Sequence, residues 1–185
     1  SREISMKEKL MRQGPALEIS KGLYVWGEFD QESANLVESQ KTKVNKKLSG
    51  PDFDVHLTLS GPINYDESDD RKNFLNLSKR FSKFKLKLSG IGYKENYFQS
   101  LFFVVENSDE LNSLKKSIDE KAGFASKEYF PHISLFYGSA NEDLKKNLCR
   151  ELVIPNEIYL EKISLVKIYK NIEQWETFET FYLKK

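Results

Sequence analysis

"YFPHISLFYG", residues 129–138, holds one of the two histidines in this 185-residue chain, and "FDVHLTLSG", residues 53–61, holds the other. Both run His, apolar residue, Thr or Ser, Leu, with a Gly close behind, and the two histidines lie 76 positions apart. Side chains alternate along a strand with period two. His56 and Thr58 therefore share one face, opposite Val55, Leu57 and Leu59. In the second copy His132 and Ser134 share a face, opposite Ile133 and Leu135. Each strand then has an apolar face for packing and a polar face bearing an imidazole and a hydroxyl.

Working outward, each copy closes a strand–helix–strand unit. "GLYVWGEF" (22–29) alternates as a strand, with Leu23 and Val25 on one face and Tyr24 and Trp26 on the other. Residues 30–48 read as a helix, capped by Asp30 and ended by Gly50-Pro51. The first His strand closes at Gly61-Pro62. Residues 66–81 read as a helix with acidic residues in the first turn, where the helix dipole favours them. Residues 83–93 alternate Lys with apolar residues, as a strand with one wet face does. "NYFQSLFFVVEN" (96–107) reads as a more buried strand. A helix capped by Ser108 or Asp109 then runs to about Lys121, before the second His strand. A short helix over 141–151 and strands near 157–169 and 175–183 finish the chain. Two copies are too few for a solenoid. They predict a bilobal α+β fold: a pseudo-two-fold pair of lobes whose antiparallel or mixed sheets flank a central cleft, with helices outside. Residues 1–185 are expected to form one domain, with 1–20 a flexible or helical extension.

If the lobes meet along their polar faces, two imidazoles and two hydroxyls converge. Imidazoles titrate near neutrality, so one can take a proton from a nucleophile while the other gives one to a leaving oxygen. The Thr58 and Ser134 hydroxyls can donate to non-bridging phosphate oxygens and stabilise transition-state charge. Phosphodiester cleavage fits this set best, of a cyclic phosphate in particular. No HExxH or dense carboxylate–histidine cluster offers a metal site, and the expectation is a reaction without metal or other cofactor.

Composition narrows the partners. With 29 basic and 28 acidic residues the net charge is +1, whereas binders of long nucleic acid usually carry a strong basic excess. A small phosphorylated ligand needs only a local site. No apolar run approaches the roughly 20 residues that span a bilayer, and the N-terminus shows no apolar signal segment. Cys149 is the single cysteine, which excludes an internal disulfide and points to a reducing, cytoplasmic setting. A monomer is expected.

On these residues the sequence resembles the two-histidine (2H) phosphoesterase superfamily, named for its paired His-x-Ser/Thr motifs. It is most similar to the cyclic nucleotide phosphodiesterases of plant and yeast type. "YVWGEF" looks like that branch's opening strand, "YFQSLFFVVENSDEL" its central strand and helix, and "YFPHISLFYGSANEDLKKN" its second motif. "QWETFETFYL" looks like its closing strand. The likeness runs from about residue 22 to 183. Val55 stands where the family commonly has Pro before its first His. The resemblance implies hydrolysis of nucleoside 2′,3′-cyclic phosphates to 2′-phosphates and of ADP-ribose 1″,2″-cyclic phosphate to ADP-ribose 1″-phosphate. It implies His56 and His132 as the catalytic pair, Thr58 and Ser134 as phosphate binders, and a substrate contact at Tyr137. His132 is assigned as base and His56 as acid. Alternatives within and beyond the superfamily are an enzyme cleaving 2′–5′ or 3′–5′ linked or cyclic oligonucleotides, and a non-catalytic RNA or nucleotide binder.

Several residues have two readings. Tyr24, Trp26, Tyr97, Phe98, Tyr129 and Tyr137 lie on or beside the central strands, and a base could stack on one or two of them, Tyr137 first and Tyr97 second, since stacking contributes about 1–3 kcal/mol per base; aromatics on such strands are otherwise core. Gln99 is either a supporting donor or a buried amide. Asp52 or Asp54 can orient an imidazole, or simply belong to a turn. Lys83, Lys85 and Lys87 mark a solvated strand edge or a weak phosphate-steering patch. Cys149 and Trp175 are read as packing residues.

Overall fold

The computed structural model describes residues 22–123 and 128–185; the expected extension over 1–20 lies outside the described residues. Among the described residues four α-helices and seven strands follow in the order β1 (Gly22–Phe29), α1 (Gln31–Asn45), β2 (Leu57–Ile63), α2 (Glu67–Arg80), β3 (Phe84–Tyr93), β4 (Leu101–Val105), α3 (Asp109–Ala122), β5 (His132–Phe136), α4 (Glu142–Glu151), β6 (Glu157–Ile168) and β7 (Glu176–Tyr182). Each helix starts where a side-chain oxygen accepts from an otherwise unpaired amide: Asp30 from Ser33, Asp66 from Ser68, Ser108 from Leu111 and Asn141 from Asp143. Helix α3 ends on Gly123, whose left-handed φ of 76° suits glycine.

The strands run β2-β1-β6-β3-β4-β5, with β7 pairing β6, and every ladder between them is antiparallel. The expected lobes are present. One is β2-β1-β6-β7 and the other β3-β4-β5, with β1-α1-β2 in the first matching β4-α3-β5 in the second. Their sheets are continuous, because β3 changes partner along its length: Phe84–Lys87 pair with β6, and Leu88–Tyr93 with β4. The outermost strands, β2 and β5, come back to lie side by side. Helix α1, which joins β1 to β2, packs also on β5, and α3, which joins β4 to β5, packs on β2. The apolar faces meet under these helices in one large core that includes Val37, Leu57, Leu59, Leu111, Ile133, Leu135 and Leu165. Cys149 packs at its margin, as read from its neighbours.

Two strands are shorter than their alternation suggested. Residues 53–56 precede β2 in irregular backbone, so His56 sits one residue before its strand. Strand β2 then runs on through Gly61-Pro62 to Ile63 instead of closing there. Gly61 has φ of 146° and lies against the Tyr24 ring, where a Cβ would collide. In the 96–107 segment, the Asn96 side chain accepts from the Phe98 amide and draws Tyr97–Gln99 into a 3₁₀ turn, leaving only Leu101–Val105 in the sheet. Lys83 and Lys85 form ion pairs with Asp30 and Glu157. Among the described residues no helix is long and apolar enough to cross a membrane.

Candidate active site

The first His motif is held by β1: Thr58 pairs with Trp26 and Leu57 with Gly27. The second is held by β4: Ser134 pairs with Phe102 and His132 with Val104. The two meet in one cleft of about 250 Å³, lined by His56, Thr58, His132 and Ser134 together with Tyr24, Trp26, Phe98, Gln99, Tyr137, Ile168 and Trp175. Among the described residues no Lys or Arg lines it.

Both imidazoles are fixed in the same way. His56 Nδ1–H donates to the Asp54 carbonyl at 2.7 Å, and His132 Nδ1–H donates to the Phe130 carbonyl at 2.9 Å. Each ring thus binds the backbone two residues upstream. That bond sets the tautomer and leaves Nε2 as an acceptor facing the cleft. The Tyr137 hydroxyl lies 3.5 Å from His56 Nε2. It is the Asp54 carbonyl, and not a carboxylate, that orients His56; the Asp52 carboxylate binds Lys41 at 3.0 Å instead. Sequence alternation cannot show a backbone carbonyl in this role.

The surroundings of the two rings differ. His56 is buried, lying flat on the Trp26 indole at 3.5 Å between centroids and 6° between planes, with Phe53 edge-on at 6.3 Å. Burial pushes its pKa down from 6.5 to about 3, against the raising effect of the Asp54 hydrogen bond; the charges of His132 and Lys41 add to the lowering. His132 is half-buried, between Phe130 at 5.2 Å and Phe102 at 5.3 Å. Desolvation lowers its pKa, the Phe130 carbonyl opposes, and nearby Lys94 lowers it further. Both rings are therefore neutral at pH 7. The Ser134 hydroxyl makes a long bond, 3.4 Å, to the Phe98 carbonyl and a side-chain hydrogen bond with the Tyr137 hydroxyl, which joins it to the group that faces His56.

The aromatic candidates separate. Tyr24 lines the cleft. Tyr137 is buried and stacks on Phe53 at 4.0 Å, so that its hydroxyl faces His56. Trp26 lines the cleft but is 4% exposed and has the His56 ring on its face, which leaves no room there for a base. Tyr97 turns away from the cleft into an adjoining groove with Pro51, Phe98, Lys170 and Gln174. Trp175 and Phe98 do line the cleft, stacked at 6.0 Å and 21°. Trp175 belongs to the family-like closing stretch and reads as packing in the sequence; only the fold brings it beside the His strands. Gln99 lines the cleft and accepts from Lys94 at 3.1 Å. Among the described residues no three His, Cys, Asp or Glu side chains gather to hold a metal ion.

The sequence model of the 2′-5′ RNA ligase superfamily matches residues 29–171. The cyclic phosphodiesterase of Arabidopsis thaliana is 22% identical over 171 residues, which are 86% of this chain and 94% of that relative. E. coli LigT in apo form shares the fold with a TM-score of 0.58 at 15% identity, over 89% of this chain and 98% of that one. The protein TT0787 of Thermus thermophilus does so with a TM-score of 0.57 at 22% identity, over 88% and 97%. With the paired His-x-Thr/Ser strands meeting in one cleft and the family pattern matched from 29 to 171, the chain belongs to the 2′-5′ RNA ligase superfamily and is a phosphodiesterase of its two-histidine class.

Proposed function

We propose that the enzyme hydrolyses small cyclic phosphates: nucleoside 2′,3′-cyclic phosphates to 2′-phosphates, and ADP-ribose 1″,2″-cyclic phosphate to ADP-ribose 1″-phosphate. The observation that carries this reading is the pair of Nδ1-anchored imidazoles whose Nε2 atoms are left to one small cleft. Water attacks phosphorus as one Nε2 takes its proton. The P–O3′ bond breaks, and the departing oxygen takes a proton from the other imidazole. Thr58 and Ser134 donate to the non-bridging oxygens, and Tyr137 holds the His56 side of the phosphate.

Burial favours the reverse of the roles expected from sequence. His56, the more deeply buried ring, resists protonation and suits the base; His132, the more open one, suits the acid. The missing proton is taken up from solvent as the substrate binds. A phosphate monoanion about 4 Å from an imidazolium stabilises it by about 4 kcal/mol at an effective dielectric of about 20, and the less desolvated ring takes the proton first. In pH–rate profiles, His56→Ala then removes the acidic limb and His132→Ala the basic limb; the opposite pattern exchanges the roles.

The cleft's size and the absence of Lys and Arg among the described residues lining it favour a small substrate over an oligonucleotide, which gains affinity from a basic track. LigT, a relative in fold, has been seen with 3′-AMP and with ATP, which supports a nucleotide ligand here. The test is incubation, with chelator present, with 2′,3′-cyclic AMP, ADP-ribose 1″,2″-cyclic phosphate, 2′–5′ oligoadenylate and a cyclic dinucleotide, and chromatographic assignment of each product's phosphate. Turnover of only the last two would overturn the reading.

A further inference from the structure

Lys41 lies on the inner face of α1, in the apolar row of Val37 and Val44, and is 1% exposed. An ammonium in that row costs desolvation that a Met or Leu would avoid. Its contacts fall chiefly on the irregular segment before His56. Nζ donates to the Phe53 carbonyl and, at 3.0 Å, to the Asp52 carboxylate, and it sits 4.3 Å above the Phe53 ring. Phe53 in turn stacks on Tyr137 and stands edge-on to His56, while the next residue, Asp54, supplies the carbonyl that orients the imidazole. Residues 51–56 belong to no helix or strand, so their backbone polar groups need other partners.

The second lobe repeats the device. Lys145 on α4 is 3% exposed, and its Nζ donates at 3.0 Å to the Lys94 carbonyl. That carbonyl opens the 94–100 segment, which carries Phe98 and Gln99 to the cleft. Each lobe thus ties one irregular, site-bearing segment to a helix through a buried lysine.

We infer that Lys41 is a positioning residue: its ammonium clamps Phe53, and through Phe53 and Asp54 it fixes the orientation of His56 and the Tyr137 hydroxyl. The inference rests on His56 acting in the proposed reaction, but its principal readout does not. Because the chain has only two histidines, ¹⁵N-imidazole NMR gives two ring systems, one for each motif. In full-length Lys41→Met, which fills the same slot without charge, the hydrogen-bonded Nδ1–H signal of His56 should move or broaden while that of His132 stays. With 2′,3′-cyclic AMP, kcat should fall about 10- to 100-fold and KM change less than about 3-fold. Lys41→Gln, a second uncharged variant that keeps a donor, should give the same selective shift with a smaller loss of kcat. An unmoved His56 signal in either variant overturns the inference. So does an equal disturbance of both rings, or unfolding of both variants, since each would assign Lys41 to general stability. If 2′,3′-cyclic AMP is not a substrate of the wild type, the proposed function fails, and the His56 signal still decides the role of Lys41.

Discussion

The Tyr129 hydroxyl donates to the Thr58 carbonyl across 2.8 Å. One residue leads into the second His strand and the other carries the hydroxyl of the first, so this bond ties the two halves of the cleft together. Lys115 lies 5.0 Å over the Tyr129 ring and pairs with Asp119, which accepts from Ser60 of the first His strand. Burial pushes the Tyr129 pKa up and keeps the hydroxyl a donor. Tyr129→Phe leaves the Thr58 carbonyl without that partner. It should cost about 1–2 kcal/mol of stability and lower kcat several-fold, measured by urea denaturation and steady-state kinetics. Unchanged values in both would mean that the lobes are held elsewhere.

Trp26 gives a choice between two measurable patterns. Its face carries the His56 ring, and it packs with Val166 and Ile168. Trp26→Leu should lower kcat at least about 10-fold with a modest change in KM and destabilise the fold by about 2–3 kcal/mol. A rise in KM with kcat preserved would return Trp26 to stacking a base.

Stability should carry the mark of the buried imidazole. His56 has a folded-state pKa of about 3 against 6.5 when free, so the unfolded chain binds a proton that the folded chain refuses. The stability this represents is fully present above pH 6.5 and is lost as pH falls from there toward about 3, at up to about 1.4 kcal/mol per pH unit. His132 is lowered too and adds in the same direction. Urea midpoints taken from about pH 7 to about pH 4 should fall less steeply in His56→Gln than in the wild type. Parallel slopes would show that His56 is protonated in the folded protein.

The two hydroxyls should act on the transition state. Ser134→Ala and Thr58→Val should each lower kcat/KM about 100-fold, chiefly through kcat, while leaving the melting temperature within a few degrees. Ser134 gives up its long bond to the Phe98 carbonyl and its hydrogen bond with Tyr137. An effect confined to KM would make them ground-state binders.

The His-strand motifs were legible because period-two alternation and two rare residues speak together: His56 with Thr58, and His132 with Ser134, do share one cleft. The helices that begin after Asp30 and Ser108 were legible from those caps. What escaped lies in irregular backbone. The Asn96 cap turned Tyr97 out of the cleft and Phe98 into it, and no periodicity reports such a turn. The carbonyls that anchor the imidazoles belong to every residue alike, so composition is blind to them. Lys41 reads as one more charged residue on a helix until the fold shows that its row is the inner one. Trp175 reaches the cleft from the far end of the chain, a long-range placement that only tertiary packing decides.

Because β2 and β5 stand at opposite ends of the strand order yet lie side by side, the gap between the imidazoles is set by the accumulated rotation of every strand join between them. Each join rotates by roughly 20–25°, so a few degrees of change at one turns one lobe against the other, a shift that the Tyr129–Thr58 bond resists. The join between the lobes is short, Phe84–Lys87 against Glu157–Leu160. Its buried pair, Leu86 and Ile158, therefore behaves as a calibration point for the chemistry, although neither side chain lines the cleft.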